Sequence, residues 1–214
     1  MKIPYTKLSG LVLVYFMSVF IVQAQTPFFK SGLLMGVNGS QITGDNMVGF
    51  DKGGILIGPF VEHEFSDIST LRMELLFSMK GSADAKSKPD PNRNWDLYRV
   101  NYLEVPILFD YHVYQKFGLN GGLAVGVNIG EYYIDVYKSE YPDFSLAKKI
   151  EYSYLIGGYY EHNAKMEFFI RYQSSIINFS TANNTPFFQL WGQRRPGYLN
   201  VLASFGLRYY FGQK

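Results

Sequence analysis

The sequence predicts an all-β chain, an eight-stranded antiparallel up-and-down barrel whose strands cross a membrane. Three observations carry this expectation. Long stretches alternate apolar and polar residues with a period of two. The connections between these stretches are long and short by turns. One strand fills its polar face with glycine and other small residues, where a soluble sheet would carry lysine, glutamate or threonine. Composition agrees. Charged residues make up 18% of the chain, below the roughly 25% of ordinary soluble domains, and aromatics reach 18%. Tyrosine and phenylalanine, 18 of each, favour pleated strands and membrane–water boundaries. A mean hydropathy near zero excludes a bundle of membrane helices but suits strands that are apolar on one face only.

The clearest strand runs from Thr70 to Lys80. Leu71, Met73, Leu75, Phe77 and Met79 share one face, and Thr70, Arg72, Glu74, Leu76, Ser78 and Lys80 the other. From Leu119 to Gly130, Leu123, Val125 and Val127 belong to an apolar row opposite Asn120, Gly122, Ala124, Gly126, Asn128 and Gly130. In a narrow barrel such small inward residues make room for larger side chains from across the lumen. At the chain end, Leu199, Val201, Ala203, Phe205, Leu207, Tyr209 and Phe211 oppose Asn200, Ser204, Arg208 and Tyr210. Weaker alternation marks 31–40, 53–65, 97–113, 150–161 and 166–177. In 97–113 the polar face holds Arg99 and Asn101, then changes parity to Glu104, which predicts a bulge near Tyr102-Leu103. Pro59 and Pro106 lack the ladder donor that a barrel without edges demands.

The links 41–52, 81–96, 131–149 and 178–197 are long and polar, whereas 66–69, 114–116 and 162–165 are short. Long links therefore gather at one end and short turns at the other, as in barrels with long outside loops and short periplasmic turns. Lys2 and Lys7 precede the apolar stretch Leu8–Val22, and Val22-Gln23-Ala24 offers a cleavage site. Residues 1–24 thus read as a signal peptide and 25–214 as the exported domain. A formal charge of +2 without a basic cluster excludes nucleic acid as a partner. The absence of cysteine removes disulfides, thiolate metal sites and an acylated cysteine anchor.

Gly36-Val37-Asn38, the run Gly53-Gly54-Ile55-Leu56-Ile57-Gly58, the segment from Leu71 to Ser82, and Tyr102-Leu103-Glu104-Val105-Pro106-Ile107-Leu108 together resemble the PorT-type outer-membrane β-barrel family of Bacteroidetes. The last is similar to that family's Tyr-Leu-Glu-Ile-Pro strand and makes Pro106 compatible with a strand. The resemblance implies an outer-membrane location and a barrel fold. The family's namesake is associated with gliding motility and protein secretion, so an accessory role in such an envelope machine is an alternative function. Leu207, Tyr209 and Phe211 resemble a barrel-assembly signal, which implies the assembly machinery as a partner, although Gly212-Gln213-Lys214 follow the aromatic residue.

The interior face collects Glu62, Glu64, Arg72, Glu74, Lys80, Arg99, Glu104, Glu167, Arg171 and Arg208. The expectation is a salt-bridge network that fills a lumen too small for a pore. A gated ion path is the sharper alternative. His63, His112 and His162 fall near short turns on strands that are not neighbours, so no metal site is expected, and no cofactor either. No serine pairs with a histidine by spacing, which argues against a lipid-modifying enzyme. The loops carry Trp95, Tyr137, Trp191, Arg194 and Arg195, residue types that suit recognition of a protein, a glycan or the phosphates of lipopolysaccharide. The expected function is non-enzymatic, structural or binding, through those loops, in contact with outer-membrane lipid. A soluble periplasmic β-barrel binding protein is the remaining alternative.

Overall fold

The computed structural model describes residues 29–43, 49–83, 97–134, 145–180 and 198–212. The expected signal peptide at 1–24 lies outside them. The strands are β1 (Phe29–Thr43), β2 (Lys52–Ser66), β3 (Ser69–Glu74), β4 (Leu76–Ala83), β5 (Leu97–Tyr114), β6 (Phe117–Ile134), β7 (Ile150–Asn163), β8 (Met166–Ser175) and β9 (Leu199–Tyr210). β3 and β4 continue one another through Leu75, so the nine segments form eight staves. Every neighbouring pair is antiparallel, and β9 closes on β1 from Gly32↔Tyr210 to Thr43↔Leu199. Closure leaves no sheet edge unpaired, the condition a strand-built membrane protein must meet.

The register fixes the bore. A circuit along paired residues runs Lys30, Glu62, Arg72, Leu108, Gly122, Leu155, Gln173, Leu202 and back to β1 at Ser40. It starts at residue 30 and returns at residue 40, a stagger of ten residues. With eight staves and ordinary strand spacings, that stagger tilts the strands by about 40° and leaves an interior just wide enough for side chains.

Alternation sets the two faces. Leu123 is 61% exposed and its neighbour Ala124 3%. Leu71, Met73, Leu75, Val125 and Val127 face outward and are exposed, and Phe77 and Met79 share that face half-buried. The short connections are the two-residue turns Asp67-Ile68, Gln115-Lys116 and Ala164-Lys165, and the long ones all leave the opposite rim.

Both prolines adjoin one interruption. Pro59 stands opposite Leu75, whose N–H donates to the Pro59 carbonyl at 3.0 Å. Pro59 has no N–H to return, so the ladder breaks there and separates β3 from β4. On the other side of Leu75, pairing to β5 stops at Met73↔Ile107 and resumes at Leu76↔Glu104, which puts Pro106 beside the same gap. The displaced Leu75 carbonyl comes within 1.8 Å of where a Cβ on residue 58 would sit, so only glycine fits at Gly58. Gly58→Ala is therefore expected to lower stability by about 1–3 kcal/mol through overpacking. Gly53→Ala, where a Cβ meets nothing within 4 Å, should be silent. Urea titration followed by the gel shift between unheated and boiled samples reads both; equal midpoints for the two variants would contradict the close approach.

The bulge falls one stave over from where the sequence puts it. Asn101 pairs with Gly130 but Tyr102 with Asn128, so the extra residue is Ile129 on β6, while β5 keeps one parity throughout. Even-numbered residues of β5 point inward from Tyr98 to Asp110. Arg99 consequently belongs to the outward parity and lies over the Tyr132 ring at 5.8 Å, not within the lumen charge network. On β6 the bulge instead turns Glu131 toward the interior.

Candidate functional site

The lumen is packed with charge on the short-turn side. Arg72 on β3 meets Glu62 of β2 (Nε to Oε2, 3.0 Å) and Asp110 of β5 (Nη2 to Oδ2, 3.0 Å). Glu167 of β8 lies 3.7 Å from Arg72 and pairs with Arg208 of β9. The Tyr210 hydroxyl sits 3.2 Å from both the Glu62 and Glu167 carboxylates. Deeper in, Arg171 of β8 donates two parallel bonds to Glu74 of β3, each 2.8 Å. β3 and β8 stand on opposite sides of the ring, so this bidentate pair spans the bore. Aromatic faces take up the rest of the cationic surface. The Arg208 guanidinium lies 5.1 Å from the Phe169 ring and 5.7 Å from Tyr159, and Arg72 lies 5.6 Å from Phe60. Pairing of this quality is what makes buried charge tolerable, because each ion has left water at large cost.

A second cluster lies toward the long loops. Lys80 of β4 bridges Glu104 of β5 at 2.5 Å and Glu151 of β7 at 2.9 Å. Gln173 of β8 donates to Glu104 and to Ser153, and Asn200 of β9 donates to the second oxygen of Glu151 at 2.7 Å. Between the clusters pack Leu108, Ala124 and Leu155, with Leu34, Leu56, Phe60 and Leu76 beside them.

Above the second cluster the chain folds back over the mouth. Ala147 bridges to Ser180, and the N–H of Lys148 donates to the Phe179 carbonyl at 2.6 Å. Leu146, Ala147 and Phe179 are buried with Ile42, Tyr98, Val100 and Tyr102. Glu131 anchors this cap. Its carboxylate accepts from the Tyr98 hydroxyl (2.7 Å), Asn128 (2.7 Å) and the backbone N–H groups of Leu146 (2.8 Å) and Ala147 (3.1 Å). The lumen is thus bridged at two levels and lidded at a third.

Residues 23–181 match the outer membrane protein beta-barrel domain. The chain belongs to that family. Solved barrels share the fold of this outer-membrane protein. Ail, the attachment invasion locus protein of Yersinia pestis, is 12% identical with a TM-score of 0.50, over 85% of this chain and 98% of its own. Neisserial surface protein A is 13% identical with a TM-score of 0.51, over 87% and 98%. No curated protein matches the chain.

Of the interior charges expected in this outer-membrane barrel, Glu62, Arg72, Glu167 and Arg208 come together in the first cluster. Glu74 pairs with Arg171, and Lys80 joins Glu104. Glu64 pairs with Lys30 near the rim. Tyr210 lies inward beside Arg208, as the alternation of the last strand predicts, and sequence reasoning missed Asp110, Glu131 and Glu151. Asp110 shares parity with Glu104, and Glu151 shares the inward face of Ser153 and Leu155, so both carried a periodic signal. Glu131 carried none, because its inward turn depends on the Ile129 bulge. The histidines are dispersed. His63 lies against Phe29 and Phe65 on the outer face, His112 meets the edge of Tyr159 inside, and His162 meets the edge of Phe168. Trp95, Tyr137, Trp191, Arg194 and Arg195 lie outside the described residues.

Removing one member of the bore-spanning pair should be severe. Arg171→Leu is expected to cost about 3–5 kcal/mol by leaving Glu74 buried and unpaired. The double variant Glu74→Leu with Arg171→Leu should recover most of that loss. Urea unfolding of single and double variants in detergent checks this; an additive double variant would deny the coupling.

Proposed function

We propose that this outer-membrane barrel is a non-enzymatic structural or binding protein that acts through its long loops. The observation that supports this reading is the obstructed lumen. Glu74–Arg171 crosses it, Lys80–Glu151 crosses it again, and the cap at Leu146, Ala147 and Phe179 covers the loop-side mouth. Among the described residues the bore is filled by side chains from opposite staves, which favours the loop rim as the surface open to partners. That rim is proposed to meet a protein, a glycan or lipopolysaccharide, with Trp95, Tyr137, Trp191, Arg194 and Arg195 as contact residues. Attachment is the kind of role named for the similar Ail barrel. We also propose that the chain is exported by a signal peptide at 1–24, inserted by the barrel-assembly machinery, and related to the PorT-type branch of Bacteroidetes. The segment Tyr102–Leu108 supports that kinship.

The full chain in planar bilayers should show no stable conductance steps; steps of defined size would overturn the obstructed-lumen reading. Replacing residues 84–96 and 181–197 by short Gly-Ser turns should preserve the heat shift on gels. The same change should weaken binding of displaying cells to glycan- or protein-coated surfaces by about tenfold or more, the scale of losing interface anchors. Undiminished binding after both replacements would argue against the loops.

A further inference from the structure

Two of the long links are footed on the cap. The link 135–144 ends at Ser145, and 181–197 leaves from Ser180 and returns at Tyr198. Ser145, Leu146 and Ala147 wrap round the Glu131 carboxylate. The N–H groups of Leu146 and Ala147 donate to its Oε2 at 2.8 and 3.1 Å, and the Ser145 hydroxyl donates to Oε1 at 3.3 Å. Successive backbone amides turned toward one point make a nest for an anion, and here a side chain of β6 fills it. Asn128 and Tyr98 complete the shell at 2.7 Å each. Among the described residues no lysine or arginine pairs with Glu131, so hydrogen-bond donors alone answer its charge. Bonds of this charge-assisted kind are roughly twice as strong as neutral ones.

The second link is tied to the first at the same place. Ala147 bridges to Ser180, the Lys148 N–H donates to the Phe179 carbonyl, and Lys148 Nζ donates to the Asn178 carbonyl at 2.9 Å. Asn178 joins the two ends of 181–197, because its Oδ1 accepts from the N–H of Ser180 at 2.8 Å and of Tyr198 at 3.2 Å. Tyr98 touches both halves. Its hydroxyl donates to Glu131, and its ring stacks on Phe179 with centroids 6.5 Å apart. Glu131 therefore holds 145–147 directly and reaches 178–180 through the Ala147–Ser180 bridge and the Tyr98 ring.

We propose that Glu131 is the positioning residue of the loop-side interaction surface: its carboxylate clamps 145–147 and, through them, 178–180, so that two loops meet a partner as one unit. The cost of ordering the loop feet is then met when the chain folds, and less of it is left for the moment of binding. The positioning role rests on the reading that the loops bind; the clamp itself does not.

Hydrogen exchange of the full chain in detergent, read by mass spectrometry of peptides, tests the clamp without any ligand. Glu131→Ala is expected to speed exchange at 146–149 by about tenfold or more, the scale of losing a bond to a charged group. Exchange at 179–180 should rise with it, while the heat shift on gels stays. Glu131→Gln keeps an oxygen for the two N–H groups and should return most of the protection. Asn178→Ala acts from the other side and should loosen 146–149 in turn, since coupling is reciprocal. It also decides the matter if Glu131→Ala fails to insert. Faster exchange confined to the half that carries the substitution would overturn the coupling. On displaying cells, Glu131→Ala should weaken binding to the glycan- or protein-coated surfaces about as far as the loop replacements do, and Glu131→Gln much less. Binding lost with the loops but untouched by Glu131→Ala would overturn the positioning role. Binding untouched by the loop replacements would sink the loop reading alone and leave the clamp to the exchange result.

Discussion

In hydrocarbon no water is available to a backbone amide, so the whole chain is organised around closing its own hydrogen-bond ladder. β1 does this by pairing with β2 on one side and β9 on the other, with a stagger of ten residues around the ring. Everything inside follows from that closure. Eight staves at this tilt enclose a space that side chains must fill, and the outward rows must be apolar because they have no other solvent than lipid. The pairing defect at Leu75 is tolerated because Pro59, Gly58 and Pro106 gather around a single point instead of breaking the ladder in several places.

The filled lumen explains why charge can be so dense inside so small a barrel. Carboxylates and guanidiniums meet from opposite staves, and aromatic faces cover what the carboxylates leave. Such networks seldom add much net stability over an apolar core of equal volume, yet they penalise any arrangement that separates the partners. In a fold whose staves could slide by two residues without exposing an apolar face to water, that penalty is a means of specifying register.

Much of this was legible in the chain itself. The strict alternation from Thr70 to Lys80 assigns lipid and lumen faces without ambiguity, and the structure places Leu71 outward and Arg72 inward. The lengths of the connections also separated the two rims, with the short turns gathered at one and the long links leaving the other. What was not legible depends on breaks in period. The change of parity between Arg99 and Glu104 points to a slip in β5, whereas the extra residue is Ile129 across the ladder in β6 and Arg99 faces outward. The same bulge hid Glu131, which looks like a loop residue until its strand turns over. Partners across the bore, such as Glu74 with Arg171, depend on the stagger, and no local pattern encodes that.

The seam between the first and last staves lies next to the first charge cluster. Glu62 is on β2 and Arg72 on β3, made early, whereas Glu167, Arg208 and Tyr210 come from β8 and β9, made last. Glu62, Arg72 and Asp110 pair among themselves on the early strands, whereas Glu167 on β8 meets Arg208 only once β9 is in place. Docking of β9 therefore brings Arg208 to Glu167 in the same event that closes the hydrogen-bond ladder. The closing strand thus joins backbone ladder and ion pair at one seam, as a latch does.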